Sequence, residues 1–536
     1  MKKFLKKATT LLLALIMVLG VCATANAEGA EPYTITISTG ANKGAAEGWQ
    51  AVADGYKQYH PEANIVIDLK PSESYGEWVQ TVTADYLNQT VDIVNINQAS
   101  NSKKKGSTIN WNEYMEEINP YDAEKRPWKE TFSYESQTRS PENGSFDALN
   151  LDSVQVVWFY NMDIFEEVGV TPPKTWDELV AVCEKLDAAG YQPISIEGDY
   201  RSFFEMRMGW LSRIYPDQTC RTNVEIFRAQ PDDFCYDPDV DGLFELDITD
   251  PWNDYSTNVT ANNVRYWRAI KDGVITFDTE GQRAVWNNFK KVFPKYAGGD
   301  AFFGTTDCLP SFYQGKSAII VSTSGFAVSF ARDMEKLASG EQLMGSDGET
   351  AIDGAKQFRL GTFNMPSMTN ESGKYGADEI FQAPVRTIEV ATGFLGAYNR
   401  SAEQSAHIVD FMMYYTSKEG MSKFVEAGLA NGWTPDGTNM VYGVTYPEKI
   451  QAAFDSLEFI GDFGGSKCLA RGLGDNQEST RAFYDLAQKC LKDEITVDEF
   501  CVKMQEQYMQ YFEVAMPKTI SLTDLENPAA EPSGQE

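Results

Sequence analysis

Residues 160–196, YNMDIFEEVGVTPPKTWDELVAVCEKLDAAGYQPISI, decide the fold. Phe165, Val168 and Val170 give a short helix its apolar contacts, and Gly169 stops it. Pro172 and Pro173 then hold the chain extended, because proline fixes φ and keeps the residue before it out of the helical region. Thr175 reads as an N-cap, with Glu178 three residues later completing a capping box. Leu179, Val182, Cys183 and Leu186 recur at helical spacing as far as Gly190, and Pro193, Ile194 and Ile196 open a strand.

Working outward, DSVQVVWFY at 152–160 is a strand leading into this stretch. Nearer the N-terminus, strands at 33–37, 64–69 and 91–96 alternate with helices at 45–59 and 75–87. Such alternation predicts an α/β protein with parallel strands covered on both faces. Ligands of open sheets of this kind bind at the carboxyl ends of the strands, so the loops after Ile37 and Ile96 are the first places to look.

The Tyr160-Asn161 pair, the Phe-containing helix, the Pro-Pro-Lys-Thr-Trp-Asp-Glu turn and the helix ending in Ala-Gly before Pro-Ile resemble a signature of one family. It is that of the extracellular solute-binding proteins of carbohydrate ABC importers (family 1, maltose-binding-protein-like). Phe312 to Ile320 resembles that family's F-x-x-G-K-x-A motif entering a buried strand, and 322–326 resembles the turn after it. Residues 358–366, 389–398, 403–415 and 416–420 resemble later segments of the same pattern.

The resemblance implies a two-lobed, periplasmic-binding-protein-like fold of type II. Each lobe would be a mixed, mainly parallel sheet flanked by helices. Three hinge crossovers would join them, near Asp152, near 385–388 and near 428–433. The first lobe would comprise 33–151 and 388–430, the second 152–387 and 431–520, with 212–300 as an enlargement of the second. The implied function is an exported receptor, not an enzyme, which closes on a carbohydrate and passes it to ABC permease subunits. The same resemblance implies a monomer that needs no cofactor.

Sugar receptors need flat aromatic faces and planar polar side chains in a mostly preformed cleft. Matched position by position, the resemblance points to Asn97 after the third strand and Asp152 at the first handover between lobes. It also points to Glu197, Asp199 and Tyr200 after the Pro-Ile strand, and to Trp210 one helix on. Phe326 stands where many relatives carry a stacking tryptophan. Trp433 lies at the third crossover, and Trp49 reaches the cleft if the 40–48 loop folds over it. The plainer reading makes the aromatics core residues and the acids turn or loop residues.

The first 27 residues read as a secretory signal: a basic start at Lys2, Lys3, Lys6 and Lys7, an apolar run, and Ala25-Asn26-Ala27 before the cut. The alternative is lipid attachment at Cys22. Either way the protein is exported, extracellular or at the cell surface. A formal net charge of −32 excludes nucleic acid as a partner, since phosphate binding needs clustered Lys and Arg. It also argues against anionic membrane surfaces.

Seven cysteines follow Ala27, without CxxC or zinc spacing. Cys220 and Cys235 bracket a loop and are one candidate pair; Cys490 and Cys501, on neighbouring helices, are another. Cys183 and Cys490 also read as small buried apolar residues. Asp237, Asp239 and Asp241 before Gly242 have the D-x-D-x-D-G spacing of calcium loops. Ile248 occupies the twelfth position, where an EF-hand needs Glu, so the alternatives are a structural Ca2+ site and an acidic turn.

Two other classes remain open at this stage. Acids beside tryptophans also describe glycoside hydrolases, which use paired carboxylates. No hydrolase motif is visible, and His60 and His407 lie outside any catalytic pattern. A receptor for peptides or polyamines on the same fold is the other. Past Asn527 the Pro, Ala, Ser and Gly content reads as a disordered tail over 527–536.

Overall fold

A computed structural model describes residues 31–84, 91–99, 106–137, 145–371, 373–474 and 476–534. The secretory signal expected over residues 1–27 lies outside the described residues. Nine strands of three or more residues organise the described chain: β1 (Tyr33–Ser38), β2 (Ala63–Ile67), β3 (Ile93–Asn95), β4 (Asp152–Asn161), β5 (Gln192–Ser195), β6 (Ser317–Thr323), β7 (Leu360–Phe363), β8 (Glu389–Thr392) and β9 (Leu395–Ala397).

The first sheet runs β9-β3-β1-β2, with β1 parallel to both neighbours and β9 antiparallel to β3. Alternation in β1 sends Ile35 and Ile37 fully into a core shared with Trp49, Trp111, Trp128 and Phe411. Tyr75 clamps the carboxyl end of this sheet. Its hydroxyl donates to the Ser38 carbonyl at 2.8 Å and accepts from the Asn95 N–H at 3.0 Å.

The second sheet is organised around β4, the longest strand. Its first half pairs with β8, and its second half lies between β6 and β7. These three pairings are antiparallel and only β5 with β6 is parallel, so the second sheet is not mainly parallel as expected. The reason is geometric: the chain comes back beside β4 three times, at 317–323, 360–363 and 389–392, and runs against it each time.

The expected local signals form as read. Gly169 terminates helix Met162–Val168 at φ 71°, and Thr175 with Glu178 closes a capping box on helix Trp176–Ala188. A second capping box, Thr496 with Glu499, opens helix Val497–Ala515. The 212–300 region packs Trp267, Trp286 and Phe289 into the second core against Phe500 and Phe512 of that helix.

Three further expectations change. Val441, Tyr446 and Phe454 pack in the first core, so 431–520 is not wholly second lobe, while 389–392 pairs with β4 rather than with the first sheet. The disulfide joins Cys220 to Cys468, not to Cys235, and Cys235, Cys490 and Cys501 are free thiols. The tail is anchored rather than disordered over its described part. The Pro528 carbonyl accepts from Asn262 Nδ2 at 2.8 Å, the Ala529 carbonyl from the Phe234 N–H at 2.8 Å, and Asp524 holds Ser533.

Candidate functional site

A cavity of about 630 Å³ opens where the carboxyl ends of β1 and β3 meet the crossovers. Asn42, Lys43 and Asn95 line it from the first lobe, and Asp152, Thr392, Phe394 and Asn439 from the crossovers. The loop after β1 fits closely beneath Trp433 because Gly44 has φ 76° and no side chain. A Cβ there would lie 2.5 Å from the Trp433 nitrogen.

Aromatic rings form one wall. Trp49 packs on Tyr415 and Phe424 at ring separations of 4.5 and 5.4 Å, and Trp433 meets Phe424 edge-on at 5.3 Å. Trp49, Tyr415 and Phe424 are buried, so Trp433 is the partly exposed ring of this wall. Arg332, on helix Phe326–Ser339 of the second lobe, secures the Trp433 segment. It donates to the Gly432 carbonyl at 3.3 Å, the Trp433 carbonyl at 2.6 Å and Thr434 Oγ1 at 2.7 Å.

Carboxyls form the floor. Asp152 Oδ2 accepts the Asp436 N–H at 3.2 Å, linking the first crossover to the third, and Oδ1 accepts the Ser153 N–H at 2.9 Å. Burial, and then the neighbouring Asp436 carboxylate, push the Asp152 carboxyl up to about 8. Burial raises Asp436 as well. At the second crossover Phe394 takes φ 47°, a conformation rare for a non-glycine residue. Its carbonyl accepts the Ile96 N–H at 2.9 Å and its own N–H donates to Asn150 Oδ1 at 2.9 Å.

Of the nine candidate residues, Trp49, Asp152 and Trp433 meet in this cavity. Asn97 does not line it. It is exposed in the turn after β3, and Asn95, the last residue of that strand, takes the place expected of it. Glu197 is buried in an ion pair with Arg207 and also accepts the Cys308 N–H at 3.2 Å, because a carboxylate at that depth needs a counter-charge. Asp199 caps helix Tyr200–Glu205 by accepting the Ser202 N–H at 3.1 Å.

Tyr200 stacks on Phe204 at 5.9 Å and meets Tyr484 edge-on, with the Arg481 guanidinium 4.5 Å from its ring centre. Trp210 packs against the second core. Phe326 is buried edge-on against Phe159 at 5.1 Å. Sequence reasoning missed Lys43, Asn95, Asp436 and Arg332 as residues; it pointed only to the loops after Ile37 and Ile96, by their positions at strand ends.

The acidic turn is also resolved. Asp241 accepts the Asp237 N–H at 2.9 Å through Oδ2 and the Thr260 N–H at 2.7 Å through Oδ1, and Asp237 Oδ1 accepts the Asp239 N–H at 2.9 Å. Backbone donors therefore occupy these carboxylates. Among the described residues no group of three or more His, Cys, Asp or Glu is arranged to hold a metal ion.

Residues 40–211 match the family of bacterial extracellular solute-binding proteins. The fold is that of a solute-binding protein. A family 1 extracellular solute-binding protein from Bifidobacterium longum subsp. infantis is similar at 13% identity and a TM-score of 0.53, over 90% of this chain and 100% of that one.

The cyclic alpha-maltosyl-1,6-maltose binding protein from Arthrobacter globiformis aligns at 13% identity and a TM-score of 0.52, over 90% of this chain and 99% of that one. A structure described under xylan utilization by Caldanaerobius polysaccharolyticus gives 14% identity and a TM-score of 0.52, over 89% and 100%. No curated protein sequence matches the chain. The matched family comprises binding proteins rather than enzymes. Among the described residues no helix is long and apolar enough to cross a membrane.

Proposed function

We propose that this solute-binding protein captures a carbohydrate, an oligosaccharide in the first instance, and delivers it to an ABC permease. The observation that carries the reading is the pairing of the partly exposed Trp433 ring with Asn42, Asn95, Asp152 and Asn439 around one cavity. A pyranose presents an apolar face and a rim of hydroxyls, and an aromatic wall beside amide and carboxyl groups matches both. The Arthrobacter protein, which binds cyclic alpha-maltosyl-1,6-maltose, and the Caldanaerobius structure, described under xylan utilization, support the same class of ligand.

Capture works by hinge closure. The crossovers carry Asp152, Thr392 and Trp433, so a ligand held there contacts the elements about which the lobes turn. Calorimetry against panels of oligosaccharides, amino acids and polyamines tests the ligand class; tight binding outside the sugar panel would overturn it. Labelled oligosaccharide should be bound stoichiometrically and recovered intact. Small-angle scattering should show compaction on addition of a tight ligand, and its absence would sink the hinge account.

A further inference from the structure

The ribbon formed by β4 and β8 has two faces. Asp152 and Thr392, paired across it, line the cavity described above. One residue along, Ser153 and Ala391 are paired and point to the opposite side, as the two-residue period of strands requires. There they line a second cavity of about 760 Å³. Its walls come from 133–137 of the first lobe and from 252–261 of the enlarged region of the second.

The walls are rich in aromatic surface. Trp252 meets Tyr255 edge-on at 5.1 Å, and Trp252 and Phe459 leave 37% and 50% of their surface open to solvent beside the cavity. The charge is one-sided. Glu389 lines the cavity with only 8% of its surface exposed. Its Oε2 accepts the Ile460 N–H at 2.9 Å, the Gly461 N–H at 3.3 Å and Gln155 Nε2 at 3.3 Å, so these three donors converge on one oxygen.

Asp462 lies beside it, its oxygens accepting the N–H groups of Glu389 and Gly464. Neither carboxyl has an ion-pair partner among the described residues. The nearby Arg386 guanidinium is engaged by Asp217 and Asp254. Lys467, the basic residue of the lining, lies across the Phe227 and Tyr266 rings at 5.0 and 5.2 Å. Glu135 adds a further negative charge from the first lobe.

We propose that this cavity is a second ligand site, taking a small organic cation whose flat apolar body lies against Trp252 and Tyr255 and whose ammonium meets Glu389. Carboxylate and aromatic groups are the two features that hold an ammonium ion in a partly dry site. Burial raises the Glu389 carboxyl to about 7, the neighbouring Asp462 adding to the shift, and a bound cation would draw it back to the charged form. Because both lobes supply walls, an occupant favours the hinge angle at which the walls fit it. Its binding and that of a ligand in the first cavity are therefore coupled, each altering the other by the same factor.

The test is calorimetry of the full chain with tryptamine as probe, and indole-3-acetate as its anionic counterpart. Tryptamine should bind at one site, while indole-3-acetate shows no saturable heat. Ala391→Leu, which fills the cavity from the ribbon, should abolish tryptamine binding. Ser136→Trp, at an exposed lining position, should do the same without disturbing a core. Glu389→Gln should weaken it roughly tenfold by removing the charge-assisted contact, and Trp433→Ala, in the other cavity, should leave it unchanged.

Absence of saturable tryptamine binding at millimolar concentration would overturn the proposal. So would binding that survives Ser136→Trp or that is lost in Trp433→Ala. Equal binding of indole-3-acetate would overturn the assignment to cations. None of these outcomes depends on whether the first cavity takes a sugar.

Discussion

Arg332 donates to the carbonyl of Trp433 at 2.6 Å, so a helix of the second lobe holds the backbone of a partly exposed ring of the cavity. If the proposed carbohydrate binds here, Trp433→Ala should lower its affinity about 10- to 100-fold, the range expected for truncating a partly buried aromatic contact. Arg332→Ala touches no ligand but frees the same segment, so it should weaken binding by about tenfold while leaving the fold intact. Calorimetry on both variants, with circular dichroism as the control for folding, checks the pair. Undiminished affinity in Trp433→Ala would remove this cavity from consideration as the sugar site.

The acids at the crossovers set a pH dependence. Asp152 titrates near 8 in the folded protein and near about 4 when unfolded. Between those values the folded state keeps a proton that the unfolded chain has released, so stability falls as pH rises through the window. Glu389, near 7, and Asp462, near 6, act in the same direction. The unfolding temperature should therefore decline from pH 5 towards pH 8. In Asp152→Asn the decline should be shallower; an unchanged slope would show that Asp152 contributes none of it.

Glu197 and Arg207 are each about nine-tenths buried or more, and replacing one leaves the other charge uncompensated. Glu197→Ala should cost about 3–5 kcal/mol of stability. Because Glu197 lies outside the cavity, sugar affinity measured well below the unfolding transition should stay within about twofold of the parent. A selective loss of affinity without destabilisation would return Glu197 to the binding site.

Calcium should leave the molecule indifferent. With the Asp237 and Asp241 carboxylates engaged by backbone N–H groups, millimolar Ca2+ should not move the unfolding temperature. An upward shift that Asp241→Asn abolishes would restore a metal site at this turn.

Local chemistry made the scaffold readable. Gly169, the Thr175–Glu178 box and the alternation of Ile35 and Ile37 each act within a few residues of themselves, and each element formed where its signal lay. The site was less legible because its residues are assembled over distance. Asp152 and Asp436 are 284 positions apart, and nothing local to either announces the other. Glu197 and Phe326 failed for a related reason: whether a side chain meets solvent or a partner depends on neighbours such as Arg207 and Phe159, which spacing along the chain does not reveal. Asn97 missed by the length of one turn.

The Cys220–Cys468 bond spans 248 positions, and β6 to β9 all lie between its ends. The first-lobe stretch that includes β9 and helices Ala402–Tyr415 and Lys418–Ala430 is thus a loop of a covalent ring whose clasp sits in the other lobe. The two lobes cannot be parted by one cut inside that ring. A protease nick in the exposed segment 346–350 should leave a single band on a non-reducing gel and two fragments once the disulfide is reduced. Topologically, the chain is a closed circuit with two tails, and the crossovers after β7 belong to the circuit.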